Sequence, residues 1–262
     1  MSKFKLHALN NDFNWTDQVG PFKQISDAQA ASWNGDGYFL YKNAFSADLL
    51  DKLIETFDRI DLQTEAFLET NGGQFGISRA NQLTFTKHIV ERSALARAFT
   101  LEATFAGLCS DLLDDNARLY WDQIVYKKPG NPEDFPWHQD NGYSFVTPQN
   151  YLTCWVALTD ATIDNGCPWV MPGVHKRGTL KHWLTDLGLQ CLDNSDGAVA
   201  VEAKAGDIVV FSSLTPHRTG PNLTEDTRKA YICQYGYDDA QVITREGEYL
   251  KQTNPQRQYR IL

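Results

Sequence analysis

The segment PWHQDNGY, residues 136–143, places an imidazole, His138, and a carboxylate, Asp140, two positions apart. On an extended chain residues i and i+2 project to the same side, so both side chains can reach one ion. A metal site needs a third donor. Of the six histidines (His7, His88, His138, His175, His182 and His217), His217 sits in a ligand-like context. It lies in FSSLTPHRTGPN, read as the end of an apolar strand followed by Pro and Gly turn chemistry. His138, Asp140 and His217 would form a two-His, one-carboxylate face. Such a face leaves three adjacent octahedral positions open and suits non-haem Fe(II) that binds a co-substrate and then dioxygen. A keto diacid such as 2-oxoglutarate would fill two of them and leave its distal carboxylate for a guanidinium. Arg228, at the start of RKAYICQYGY, can return on a neighbouring strand and hold that group in a bidentate pair.

Taken singly, these features are weak. HxD recurs by chance, a His before an Arg is commonly structural, and Arg228 can be a solvated edge charge. Their conjunction carries the meaning, and no HExxH, P-loop, GxGxxG or GxSxG pattern competes with it.

The elements that must position these residues fall into two zones, a mainly helical part over about 1–115 and a β core over about 116–240. In FSADLLDKLIETFDRID, Ser46 is an N-cap and Leu49, Leu50, Leu53, Ile54, Phe57 and Ile60 share one helical face. LEATFAGLCSDLLDD puts Leu101, Phe105, Leu108, Leu112 and Leu113 on a second stripe. From about residue 117 the period changes. ARLYWDQIVYKKPG, YLTCWVALTD, GCPWVMPG, AVAVEAKAGD, DIVVFSS and RKAYICQYGYDD are short strand-like runs separated by turn residues. Six or more such runs with little helix between them predict antiparallel β, as a sandwich, jelly roll or barrel, with HxD at its mouth. No repeat, low-complexity tract or linker divides the chain, which is read as one domain over 1–262.

Composition narrows the function classes. The chain has 262 residues, 42% hydrophobic and 22% charged, enough for one sizeable core. A net charge of −9 argues against nucleic-acid partners, which require basic surface. Five cysteines, odd in number and without a CxxC pair, read as reduced, partly buried thiols. MSKFKLHALNNDFNW lacks the apolar stretch of a leader, no run is long enough for a membrane span, and QYRIL is not a peroxisomal address. The expectation is a cytoplasmic protein. The 7 Trp, 11 Tyr and 14 Phe suit a β-rich fold or a lined pocket. Trp121, Tyr126, Tyr143, Phe145 and Trp169 are candidates for either pocket wall or core.

WHQDNGYSFVTPQNYLTCWVALTDATIDNGCPWVMPGVHKRG, GDIVVFSSLTPHRTGPN and Arg228 together resemble the phytanoyl-CoA dioxygenase family. The likeness runs from about Gly35, where GDGYFLYKNAFSADLLDKL resembles the family's opening strand and helix, to about Tyr237, and is densest over 137–178. It implies a mainly β fold with flanking α-helices around a double-stranded β-helix (jelly-roll) core. It also implies an Fe(II) cofactor, 2-oxoglutarate and dioxygen as co-substrates, and hydroxylation of an unactivated C–H with release of succinate and carbon dioxide. Related enzymes also desaturate, epoxidise or rearrange. Halogenation is disfavoured, since it would need a small residue where Asp140 stands. The resemblance assigns iron ligation to His138, Asp140 and His217, and the distal-carboxylate salt bridge to Arg228. Trp155 matches an aromatic residue beside the co-substrate, Thr219 a hydroxyl position two after the second His, and Gln123 a strand position contacting 2-oxoglutarate. His175 in PGVHKRG is read as structural, and Gly166, Pro172 and Gly173 as turn-formers. Residues 177–197 resemble a substrate-facing insertion, although helical caps and solvated charges would account for them equally. Without a peroxisomal address or an evident basic site for coenzyme A phosphates, a small metabolite is favoured over a fatty-acyl thioester. Two other readings stay open, a metal-dependent cupin-like enzyme that uses no 2-oxoglutarate and a non-catalytic jelly-roll binding protein.

Overall fold

Alternation along the strands decides the architecture. In the long strand Arg228–Tyr237, Ala230 and Ile232 face one apolar layer while Tyr231, Cys233 and Tyr235 face another. Leu152–Ala157 repeats the pattern, with Trp155 and Ala157 on one side and Leu152, Cys154 and Val156 on the other. Period-two burial of apolar residues on both faces marks a sheet covered on both sides. The computed structural model describes residues 4–113 and 115–262. The first three residues of the N-terminal stretch, and Asp114 at the end of the second helical stretch, lie outside them.

The large sheet has eight antiparallel strands in the spatial order 38–41, 208–212, 152–157, 228–237, 117–127, 83–87, 78–79, 74–75. A second sheet orders 199–200, 168–170, 217–219 and 135–138, and its Phe135 and Val170 pack with Trp155, Phe211 and Ile232 of the large sheet. Two antiparallel sheets enclosing one apolar interior make the expected jelly roll. Helices cover the other face of the large sheet: α1 (Asp27–Asp36), α2 (Ala47–Thr70), α3 (Ala94–Phe99) and α4 (Ala103–Leu112). Ser46 caps α2, its side chain accepting from the Leu49 amide, and Leu50, Leu53, Phe57 and Ile60 are buried against the sheet. Ion pairs strap α2 down at its edges: Lys229 Nζ lies 2.7 Å from Asp58, and Lys128 Nζ lies 2.5 Å from Asp61.

Several expectations need correction. The mainly helical zone contributes a strand that its pattern did not announce, Leu83–Lys87, paired with residues 123–127, besides the opening strand Tyr38–Tyr41, paired with 208–211. Leu101 is not on the α4 stripe; it sits in the turn between α3 and α4, 45% exposed, since α4 begins only after its N-cap Glu102. His217 does not end the apolar strand Ile208–Ser212. It opens the next strand, on the opposite sheet, after the turn through Thr215 and Pro216. AVAVEAKAGD yields only the pair Val199–Ala200 as strand. All five cysteines are free and buried.

His175 lies far from solvent, edge-on to the Trp15 ring at 4.3 Å between centroids. Gly37 faces it with φ +84, and a Cβ there would sit 2.5 Å from the His175 ring and 2.6 Å from Thr215 Oγ1. Only glycine fits that approach. Its carbonyl accepts from Thr215 Oγ1 at 2.7 Å, which supports the turn leading to His217.

Burial holds the His175 pKa down at about 4. In the unfolded chain this imidazole takes up a proton near the ordinary histidine value of 6.5, while in the folded chain it does not until about 4. Stability contributed here is complete above about pH 6.5 and is lost as pH falls toward 4, by roughly 3 kcal/mol at most. Urea denaturation between pH 7 and pH 4 should show this loss, and His175→Gln should flatten part of it. Phe57→Ala, which empties a fully buried ring site under the large sheet, should cost about 3–5 kcal/mol in the same assay.

Candidate metal centre

The small sheet brings the histidines together. His217 and His138 are direct cross-strand partners in the antiparallel pair formed by 217–219 and 135–138, with ring centroids 4.1 Å apart. Gln139 continues the extended chain (φ −108, ψ 143), so Asp140, at the start of the next turn, comes back to the same side. Asp140 Oδ1 lies 4.0 Å from His138 Nε2 and 3.7 Å from His217 Nε2. One ligand atom from each of the three residues falls within 4.8 Å of the others.

Hydrogen bonds set which nitrogen is free. His138 Nδ1 pairs with the Pro136 carbonyl at 2.8 Å and His217 Nδ1 with the Thr215 carbonyl at 3.0 Å. A carbonyl only accepts, so each Nδ1 carries the proton and each Nε2 keeps its lone pair toward Asp140. Burial lowers the His138 pKa to about 3, with the neighbouring His217 as a further cause, and burial lowers His217 to about 4. Both rings are neutral donors at pH 7. Burial raises the Asp140 pKa. Its Oδ2 accepts from Thr153 Oγ1 at 2.6 Å, and Gln234 Nε2 donates to that hydroxyl at 3.4 Å.

Arg228 opens its strand on the large sheet, facing inward like Ala230 and Ile232, and is 1% exposed. Its guanidinium carbon lies 5.3 Å from the Trp155 ring centroid, and its Nη1 makes one long contact, 3.5 Å, to the Val125 carbonyl. Nε and Nη2 have no hydrogen-bond partner among the described residues. Burial pulls the Arg228 pKa down to about 10, so the group stays charged. Lys127, its cross-strand partner, is also fully buried and donates to the Gly220 carbonyl at 2.5 Å and the Glu133 carbonyl at 3.1 Å. A charged guanidinium with open donors, beside a buried lysine, forms a ready place for a carboxylate.

The remaining expected residues divide. Trp155 lies beside Arg228, and Gln123 lines a cavity of about 300 Å³ that also touches His138 and Asp140. Trp121 Nε1 donates to Gln123 Oε1 at 3.1 Å. Thr219 is in the His217 strand opposite Phe135 and Pro168, and lies outside that cavity's lining. Trp121 and Tyr143 reach the cavity. Tyr126, Phe145 and Trp169 do not: Tyr126 bonds Asp58 of α2, Phe145 stacks on His7, and Trp169 covers Arg218.

Sequence reasoning missed Thr153, Gln234, Lys127 and His182. Period two would have reached the first three, since Thr153 shares a face with Trp155, Gln234 with Arg228, and Lys127 with Gln123. His182 carries no such signal. It comes from the 177–197 insertion, and its Nε2 accepts the Gln139 amide at 2.9 Å, between two of the three converging residues. A Cβ on Gly142 would run into its ring, so glycine is required there.

Residues 33–230 match the family model for phytanoyl-CoA dioxygenase (PhyH). The chain belongs to the phytanoyl-CoA dioxygenase family. It is 31% identical over 147 residues to an Arabidopsis thaliana phytanoyl-CoA dioxygenase, covering 54% of this chain and about half (52%) of that one. A methylphosphonate hydroxylase of Gimesia maris is 29% identical over 255 residues, covering 87% of this chain and 93% of the relative. Among solved structures, the fold matches the epimerase SnoN in complex with Fe3+, alpha ketoglutarate and nogalamycin RO, with TM-score 0.69, 19% identity, and 90% and 98% of the two chains covered. It also matches S. alaskensis EctD with 2-oxoglutarate and 5-hydroxyectoine, with TM-score 0.68, 22% identity, and 91% and 84% covered. Among the described residues no helix is long and apolar enough to cross a membrane.

Thr153→Val keeps the volume but removes the hydroxyl that anchors Asp140. Co(II) affinity, read by the visible bands of the bound ion, should fall by about 10- to 100-fold, and Thr153→Ser should retain it.

Proposed function

We propose that this chain is an Fe(II)- and 2-oxoglutarate-dependent oxygenase. It hydroxylates an unactivated C–H bond of a small metabolite and releases succinate and carbon dioxide, with residues 1–262 working as one domain in the cytoplasm. The observation that carries the proposal is the convergence of His138, Asp140 and His217, the first two at a cavity wall, with a buried guanidinium whose donors are open on the facing sheet. Membership of the family and a hydroxylase among its near-full-length relatives support the reaction type.

The residues fit the ion. Two neutral imidazoles and one carboxylate are borderline donors suited to a divalent transition metal, and three ligands on one side leave room for exchangeable ones. His138 and His217 would bind through Nε2 and Asp140 through Oδ1. Iron held there supplies dioxygen-dependent oxidation coupled to decarboxylation of the keto acid. The chain supplies everything that aims this chemistry. The carbonyls of Pro136 and Thr215 orient the imidazoles, and the Thr153 hydroxyl holds Asp140 so that Oδ1 faces inward. Arg228 would take the far carboxylate of 2-oxoglutarate through Nε and Nη2, with Trp155 fixing the guanidinium plane. Trp121 holds the carbonyl end of Gln123, leaving its amide donor for the co-substrate, and Thr219 would add a hydroxyl. Aromatic walls exclude water and orient the substrate C–H.

Anaerobic addition of Fe(II) and 2-oxoglutarate should give a weak visible charge-transfer band. A cupin-like enzyme that uses no 2-oxoglutarate, or a non-catalytic binding protein, would give none. Arg228→Ala should raise the KM for 2-oxoglutarate by about 100-fold, the loss of charged hydrogen bonds worth about 3 kcal/mol. Arg228→Lys should recover only part, because an ammonium cannot bind both oxygens in plane. Asp140→Ala should abolish substrate-stimulated succinate release, and unaltered turnover would overturn the ligand assignment.

A further inference from the structure

The cavity beside His138 and Asp140 carries information about what enters it. Its rings come from Phe85, Tyr120, Trp121, Phe135, Tyr143 and Tyr151, and its neutral polar groups include Gln123, Ser144 and Gln234. No lysine or arginine is among the described lining residues, and its one formal charge is that of Asp140. Burial pushes the Tyr120 pKa up to about 12, so its phenol remains an O–H group at neutral pH.

A divalent ion at the three converging residues would be offset by Asp140 and by the keto acid's near carboxylate, so an anionic group placed here would lose its water without gaining a countercharge, which is costly. A neutral molecule would meet flat apolar faces and uncharged hydrogen-bonding groups, and an ammonium would also meet the negative faces of the rings. The nearest cations do not alter this. Lys87 Nζ is 5.9 Å from the Trp121 centroid but belongs to an exposed, solvated residue. Arg79 is engaged with Glu133 and the Asp186 carbonyl, and Arg218 pairs with Asp134. Arg228 and Lys127 lie outside the cavity lining, at the place assigned to the co-substrate. At about 300 Å³ the cavity is at the small end of small-molecule sites.

We infer that the substrate is a small non-anionic molecule, neutral or ammonium-bearing, held by ring faces and uncharged hydrogen bonds. This rests on the proposal that the cavity beside the three converging residues is the active site. It sets the chain apart from two relatives whose names carry anionic substrates, a coenzyme A thioester and methylphosphonate.

The test is a charge series on one scaffold: cyclohexylmethanol, cyclohexylmethylammonium and cyclohexylphosphonate, titrated calorimetrically into the full chain. Each titration is run on metal-free protein and again with Zn(II) and 2-oxoglutarate present. The alcohol or the ammonium should bind at least about tenfold more tightly than the phosphonate in both states, and which of the two leads separates the neutral from the cationic source. Ser144→Arg, at the exposed edge of the cavity, should raise phosphonate affinity by about tenfold and so erase the preference. Equal or tighter phosphonate binding by the unaltered chain, or no difference across the series, overturns the inference. Because binding to metal-free protein needs no turnover, a preserved preference without any charge-transfer band would sink the oxygenase proposal and leave the cavity's selectivity standing.

Discussion

The structure depends on one short antiparallel pairing, that of His217 with His138 across the small sheet. A cross-strand pair fixes two side chains on one face within van der Waals reach, and here it sets the imidazole centroids 4.1 Å apart. Strand pairing alone would let either ring rotate. The carbonyls of Pro136 and Thr215 remove that freedom by taking the Nδ1 protons, so the backbone of the same two segments dictates both position and tautomer. Asp140 completes the face because Gln139 stays extended for one more residue before the chain turns.

This pairing explains why the large sheet is built as it is. Its inward face has to close the interior against the small sheet and also carry charge. Between Arg228 and Gln234 the inward positions run from a guanidinium, through the apolar Ala230 and Ile232, to an amide beside Thr153. Charge is therefore segregated. The buried Arg228 and Lys127 are held at one end, and the ring-lined cavity, whose one formal charge is that of Asp140, lies at the other. Burying adjacent cations is unfavourable, and the effect is visible in Lys127, whose pKa burial and the Arg228 charge bring down to about 7. Arg228 keeps open donors in spite of that cost, which makes sense only if an anion completes its surroundings.

Much of this was legible in the chain. The triad and Arg228 were readable because ligand chemistry restricts residue type tightly, and the β core because period two persists through RKAYICQYGYDD and YLTCWVALTD. What escaped did so for physical reasons. Leu83–Lys87 is a strand set by long-range pairing rather than by local pattern, so a reading of helical periodicity passed over it. Residues 213–216 form a turn too short to separate Ile208–Ser212 from His217 by composition, which hid the change of sheet. Tyr126 and Trp169 have the composition of pocket residues, but face parity turns Tyr126 to α2, and Trp169 is spent on Arg218.

His182 shows a different limit. The insertion from 177 to 197 looks from sequence like a loop that could vary freely, yet its first part is bonded into the turn that holds Asp140. Gln139 donates its amide to His182 and, through its side chain, bonds the Gly178 and Leu214 carbonyls and the Leu180 amide. Asn141 reaches Thr179 from the other side of Asp140. Beyond residue 182 the ties change in kind: the hairpin of 183–185 and 188–190 touches the cavity wall through the Leu189 amide and the Tyr143 hydroxyl, 3.3 Å apart. The insertion thus has two mechanical roles along its length. Residues 178–182 fix the geometry of the converging donors, so changes there propagate to ion affinity. The hairpin bears on Tyr143, 40% exposed at the cavity edge, and the residues after it bond Trp137, the neighbour of His138, through the Cys191 amide and the Ser195 hydroxyl.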